Sequence, residues 1–139
     1  PYQNKEKFIP VIISNFLQNS KIPVYGSGKQ IRNWTFVNDT VNALIKIMDR
    51  SEIGKEYNIS SDLEIENLKL IELIHSQLLK RGLIKNKNFK TYIDYVPDRL
   101  GHDLRYSIEN KKIKKDLNWK SVTNIKNGIN ETINWYLKK

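Results

Sequence analysis

Apolar residues return at helical spacing over five stretches of this chain and gather in shorter runs between them. The first stretch spans residues 5 to 18, with Phe8, Ile9, Ile12, Ile13 and Phe16 on one face, widened by Val11 and Leu17. Pro10 lacks an amide hydrogen, so either the helix begins close to it or Lys5 to Ile9 forms a separate turn. The second stretch covers roughly residues 40 to 50. Its cap is Asn38 or Asp39, and its expected core stripe is Val41, Leu44, Ile45 and Met48. Asn67 is expected to cap the third, which runs to Lys80 with Leu70, Ile71, Ile74 and Leu78 inward and stops at Gly82. Asn110 caps a short basic helix ending near Leu117. Thr123 or Asn124 caps a final helix presenting Ile125, Ile129, Ile133, Tyr136 and Leu137, with Trp119 and Val122 as apolar anchors before it.

Between these helices lie short runs of β-formers: 21 to 25, 31 to 37, Glu56 to Ser60, Thr91 to Val96 and Arg105 to Ile108. Strands separated by helices, without repeats or a long linker, predict a mixed α/β fold. The length, 139 residues, suits a single domain.

Composition narrows the chemistry. The hydrophobic fraction of 39% is ordinary for a soluble domain, and no apolar run reaches the length of a bilayer span. There is no cysteine, so disulfides and thiolate chemistry are excluded, which is compatible with a cytoplasmic location. Two histidines, His75 and His102, stand far apart in different contexts and make a poor zinc site; His75, beside the third helix's apolar stripe, reads as a packing or surface residue. The net charge of +9 calls for an anionic partner. Most of that charge is scattered lysine, with the run at 111 to 115 reading as a solvated helix face. The five arginines are more informative, because a planar guanidinium grips phosphate with two parallel bonds.

Two stretches concentrate candidate chemistry. Gly26-Ser27-Gly28-Lys29 fails as a Walker A loop, since Pro23 and Gln30 occupy positions that need Gly and Ser or Thr. It fails as a dinucleotide fingerprint because Ile31 replaces the third Gly. Tyr25-x-x-x-Lys29 has the spacing of a catalytic Tyr–Lys pair, but two intervening glycines disfavour the helix which that pair needs. The loop is better read as a place where Pro23 fixes the backbone, Tyr25 lies against a flat ring, the glycines admit a ligand and Arg32 neutralises a phosphate. Asn58 is polar within an apolar run, where bonding to adjacent backbone is the default reading. The second stretch, Asp98-Arg99-Leu100-Gly101-His102-Asp103-Leu104-Arg105-Tyr106, is poor core material. Alone it reads as a salt-bridged surface turn; beside an anion it reads as a binding loop.

Taken together, Pro1-Tyr2, Lys7-Phe8-Ile9-Pro10, Pro23-Val24-Tyr25-Gly26-x-Gly28, Gln30-Ile31-Arg32-Asn33-Trp34, Phe36-Val37-x-Asp39, Tyr57-Asn58-Ile59 and the 98 to 106 stretch stand in a familiar order and spacing. They resemble the C-terminal part of the dTDP-glucose 4,6-dehydratases, which are extended short-chain dehydrogenase/reductases, and Leu117-x-Trp119-Lys120 and Trp135-Tyr136 also fit. The resemblance implies that Lys7, Phe8 and Pro10 line a nucleotide-sugar pocket and that Pro23, Val24 and Tyr25 hold the base. It implies that Arg32 and Arg99 bind the diphosphate, with Asn58, Asp98, Gly101, His102 and Tyr106 completing the site.

The resemblance further implies an α/β substrate-binding part whose N-terminal Rossmann core is absent, with residues 1–139 as one domain and 36 to 60 packing on the missing sheet. NAD would belong to the full-length parent, and none is expected on this chain alone. That chain would be inactive, because the family's catalytic Tyr-x-x-x-Lys and acid pair precede Pro1. The expected partners are a dTDP-sugar nucleotide and either the N-terminal half or a second copy, with no membrane. Two other readings stay open: a related nucleotide-sugar epimerase or decarboxylase, and a basic nucleic-acid-binding module. The second lacks a helix face of Arg, Asn or Gln.

Overall fold

Pro10 sets where the first helix starts. In the computed structural model, which describes residues 1–138, α1 spans Phe8–Leu17 with Lys7 at its N-cap. Pro10 falls in the first turn, where an amide hydrogen would have no partner within the helix. The chain continues through β1 (Ile22–Tyr25), β2 (Ile31–Asn33), α2 (Val37–Arg50), β3 (Glu64–Glu66) and α3 (Asn67–Lys80). A 3-10 turn (Phe89–Tyr92), β4 (Ile93–Val96), β5 (Arg105–Tyr106), α4 (Lys111–Leu117) and α5 (Ile125–Leu137) complete it. The mixed α/β class expected from the pattern is present. None of the described helices is long and apolar enough to cross a membrane.

The strands form two small sheets. β1 pairs in parallel with β4, Tyr25 opposite Val96, and β2 is central in the order β3-β2-β5, antiparallel to β3 and parallel to β5. The main core lies among α1, α3, α5 and β1: Ile12, Ile13, Phe16, Ile22, Val24, Leu70, Ile71, Ile74, Leu78, Ile129 and Ile133 are all buried. α3 ends as expected at Gly82 (φ +68°), where the amides of Gly82 and Leu83 bond back to the carbonyls of Leu79 and Leu78. A second, smaller cluster joins Ala43 of α2 to Ile113, Leu117 and Trp119. His75 is a packing residue: it is buried among Phe16, Phe89 and Tyr92, and its Nε2 lies 2.8 Å from the Asn86 carbonyl.

Several local expectations are corrected. α2 begins at Val37, so Asn38 and Asp39 lie inside its first turn rather than capping it. Asp39 is buried and works over a distance: its carboxylate accepts from Ser121 Oγ (2.8 Å) and the Thr123 amide (3.0 Å), and its carbonyl accepts from Trp119 Nε1 (3.2 Å). Asn67 is the first residue of α3 and Glu66 its cap. The α2 stripe is apolar but uncovered, Val41, Leu44, Ile45 and Met48 being 46, 48, 50 and 83% exposed. Residues 56 to 60 form no strand, since no neighbouring strand among the described residues pairs with them; the next strand, β3, begins at Glu64 and pairs with β2. Val122 is exposed, whereas Trp119 is buried as expected.

Candidate binding site

Parallel pairing of β1 with β4 makes the two polar loops leave the sheet side by side. The link is direct, the Gly26 amide donating to the Val96 carbonyl at 3.0 Å. Gly101 then turns the second loop back on itself. It sits at φ +69°, the region glycine favours at the third position of a tight turn, and the His102 amide closes that turn on the Arg99 carbonyl at 3.2 Å. His102 is thereby aimed at Asp98, with Nδ1 2.6 Å from Asp98 Oδ1.

Asp98 is held by four groups. His102 bonds one carboxylate oxygen, the Arg99 amide donates to the same oxygen (2.9 Å), and Gln30 Nε2 donates to the other (3.1 Å). Gly26 packs against it so closely that a Cβ there would stand 2.6 Å from Oδ2. The bond from His102 is the main reason the Asp98 carboxyl is held below its usual range; partial desolvation opposes it, and the Arg99 amide and Gln30 assist. A carboxylate only accepts, so Nδ1 of His102 carries the proton and Nε2 keeps its lone pair. Two guanidiniums converge on that lone pair, Arg32 Nη2 at 3.1 Å and Arg99 Nη2 at 2.9 Å.

Those two arginines are not neutralised. Among the described residues no carboxylate lies within ion-pair distance of either. Besides His102, Arg32 is steadied by backbone, donating to the carbonyls of Ile31 (2.7 Å) and Asp103 (2.9 Å). Arg99 lies over the Tyr25 ring, 5.0 Å from its centroid, and the His102 ring meets Tyr25 edge-on. Two adjacent guanidiniums with no ion-pair partner among the described residues, in a loop cluster where the Asp98 carboxylate is already engaged, have the chemistry to hold an anion with more than one oxygen.

The structure gathers Tyr25, Arg32, Asp98, Arg99, Gly101 and His102, and places Tyr106 next to them as Arg32's register partner on β5. The remaining candidates lie elsewhere. Pro23 is exposed on β1, but Val24 is 1% exposed and packs into the main core. Lys7, Phe8 and Pro10 begin α1. Phe8 stacks on Trp34 (centroids 6.0 Å apart), and Pro10 and Trp34 share the wall of an apolar cleft of about 410 Å³ with Phe36, Ile125 and Ile129. Asn58 is exposed in the 56 to 60 segment, beside Tyr57, which packs on the α2–α4 cluster. The glycines of the first loop do not admit a ligand as expected. They admit the protein's own atoms: Asp98 at Gly26, and Val24 and Leu68 at Gly28.

Gln30 has no binding role expected from the sequence. It is 2% exposed, and its Nε2 meets the Tyr25 carbonyl and Asp98 Oδ2, both at 3.1 Å, and His102 Nδ1 at 3.4 Å. Its position directly before Ile31-Arg32 was the only signal available. A second polar cleft of about 400 Å³ lies around Glu64, Arg105, Ser107, Asn110, Lys111 and Lys114. Each of its cations is already paired: Arg105 with Glu64, Lys111 with Glu109 and Lys114 with Asp62. The double bond from Arg105 and the Ser107 hydroxyl hold the Glu64 carboxyl at about 2. No three His, Asp or Glu side chains among the described residues are grouped to hold a metal. The Gly26–Gly28 loop does not fit NAD either, because it leads into β2 rather than a helix N-terminus and its glycine faces are filled.

Residues 1–132 match the family model described as GDP-mannose 4,6 dehydratase. A dTDP-glucose 4,6-dehydratase of Escherichia coli is 42% identical over 142 residues, an alignment covering 99% of this chain and 39% of that protein. The crystal structure of a dTDP-glucose 4,6-dehydratase from Bacillus anthracis in complex with NAD superimposes with a TM-score of 0.85 at 35% identity, covering 100% of this chain and 42% of that one. The enzyme of the same description from Streptomyces venezuelae gives 0.86 at 30% identity, covering 100% and 41%. The chain therefore spans about two-fifths of the length of the relatives it matches.

Proposed function

Since the chain belongs to the family described as GDP-mannose 4,6 dehydratase, we propose that it is the nucleotide-sugar-binding portion of a dTDP-glucose 4,6-dehydratase, the enzyme that converts dTDP-glucose to dTDP-4-keto-6-deoxyglucose. The observation that carries this reading is the pair of guanidiniums, Arg32 and Arg99, meeting at one imidazole nitrogen with no carboxylate among the described residues to neutralise them. A diphosphate supplies two neighbouring anionic groups, which match two neighbouring guanidiniums. Tyr25, 42% exposed beside Arg99, offers a ring edge and face for the base. Tyr106 and the turn at Gly101 close the same wall. Lys7, Phe8, Pro10, Pro23 and Asn58 would reach the sugar nucleotide from the rim, and Val24 would act through its backbone.

On this reading residues 1–139 act as one domain, and 36 to 60 rest on a Rossmann sheet that this chain does not supply. The uncovered stripe of α2 and the unpaired 56 to 60 segment support that assignment. Both also make self-association or docking to an N-terminal half the expected behaviour. NAD, found on the Bacillus anthracis relative, would accept and return a hydride in the full enzyme; the residues described above bind and orient and take no part in that step. The chain alone is expected to lack dehydratase activity.

Calorimetric titration of dTDP tests the reading, with this chain alone and after mixing with the N-terminal part of a relative. Arg32→Ala should weaken binding roughly 10- to 100-fold, the range for a charge-assisted contact of about 1.5–3 kcal/mol. Absence of dTDP binding in both preparations overturns it. Product analysis on dTDP-glucose against UDP-glucuronate separates dehydration from decarboxylation or epimerisation.

A further inference from the structure

The contacts of His102 are asymmetric in a way that diphosphate recognition by itself does not require. One ring nitrogen faces a carboxylate at 2.6 Å, and the other faces two guanidiniums at 2.9 and 3.1 Å. Only one neutral tautomer satisfies the short contacts on both sides: Nδ1 donates to Asp98 and Nε2 accepts from the arginines, while the longer 3.4 Å approach of Gln30 Nε2 to Nδ1 is a packing contact in that form. The opposite tautomer would set an N–H against two N–H donors and leave a lone pair against a carboxylate. What selects the tautomer is therefore the orientation of Asp98, and that depends on a residue touching neither arginine.

We infer that Gln30 is a positioning residue for the anion receptor, acting through Asp98 and His102. It fixes the Asp98 carboxylate, which holds His102 in the Nδ1–H form, whose Nε2 lone pair in turn gathers Arg32 and Arg99. The inference rests on the nucleotide-binding reading for its ligand but not for its tautomer. Three observations converge on it. The Gln30 amide is oriented without ambiguity, because its nitrogen faces two acceptors, the Tyr25 carbonyl and Asp98 Oδ2, both at 3.1 Å; turning the amide over would set oxygen against both. The side chain is 2% exposed, so water does not replace those bonds. Finally, among the described residues Gln30 supplies the hydrogen bond to Oδ2, the other two bonds to the carboxylate going to Oδ1, so without Gln30 that oxygen keeps only its packing against Gly26.

The chain contains two histidines, and the structure assigns them opposite tautomers. His75 Nε2 faces the Asn86 carbonyl at 2.8 Å, so that nitrogen carries the proton. Two-bond nitrogen–proton correlation spectra of the 15N-labelled full chain distinguish the forms directly. Wild type should show His75 as Nε2–H and His102 as Nδ1–H; His102 as Nε2–H overturns the inference without any variant. Gln30→Met, close in volume, should mix the His102 tautomers while leaving His75 unchanged, and should weaken dTDP or pyrophosphate binding roughly 10-fold, the lower end of what loss of an outer hydrogen-bond partner costs at metal sites. If Gln30→Met does not fold, Gln30→Asn, one methylene short of Asp98, is read in the same way. A folded variant with the wild-type tautomer and affinity refutes the role of Gln30. A correct tautomer, lost in the variants, in a protein that binds no dTDP refutes the nucleotide reading and leaves the relay standing.

Discussion

Replacing Gly28 by alanine isolates how tightly the first loop is packed against the core. Gly28 lies at φ +70°, and a Cβ built there would stand 2.7 Å from both Val24 Cγ1 and Leu68 Cγ. Comfortable carbon–carbon contact needs about 3.5–4.0 Å, so both neighbours would have to retreat by roughly 1 Å. Neither is free to do so: Val24 is 1% exposed within a strand registered to Tyr95, and the Leu68 amide is bonded to the Gly28 carbonyl at 3.1 Å. A left-handed alanine costs about 1–2 kcal/mol, and overpacking a core adds about 1–3 kcal/mol, giving roughly 2–5 kcal/mol in all. Gly82→Ala is the control. It has nearly the same backbone (φ +68°) but nothing within 4 Å of the new Cβ, so only the conformational part, about 1–2 kcal/mol, should remain. Urea unfolding followed by circular dichroism at one fixed, low protein concentration measures both. Equal losses of stability in the two variants would refute the close packing of the loop.

Other expectations follow from the same geometry. Gly26→Ala should lower dTDP affinity more than Gly82→Ala does, because its Cβ displaces Asp98; equal affinities in the two would contradict the placement of that carboxylate. Asp39→Ala should destabilise by about 1–3 kcal/mol, as it strands the partly buried Ser121 hydroxyl and Thr123 amide, and denaturant midpoints check this. Glu64 has its carboxyl lowered from 4.5 to about 2, so its contribution is complete above about pH 4.5 and disappears as pH falls toward 2. Carbon-detected titration of Glu64 should follow that curve in wild type and move up toward its ordinary range in Arg105→Ala. Leu44→Lys with Met48→Lys should shift sedimentation toward monomer without altering the helical signal. A wild-type chain already monomeric at every concentration would mean that the α2 face does not drive association.

Local periodicity carried much of the fold. The inward residues of α3 and α5, the stop at Gly82 and the Asn124 cap, whose side chain accepts from the Lys126 amide, follow from contacts within four residues, which any helix of that pattern must make. Where a partner from afar was needed, the pattern was silent or misleading. The α2 stripe is visible as apolar, but periodicity does not say what covers it. Residues 56 to 60 are β-prone, yet a strand exists only when another pairs with it. Asp39 has the character of a helix cap, but its bonds go to residues more than eighty positions away. The loop from Asp98 to Tyr106 reads by itself as a salt-bridged surface turn, and only the resemblance of the other segments to the family shifts that reading toward binding. That Arg32 joins Arg99 at one imidazole, and that a buried Gln30 holds the carboxylate behind it, was decided by the parallel pairings of β1 with β4 and of β2 with β5. Those pairings bring together groups about seventy residues apart, and no spacing along the chain records them.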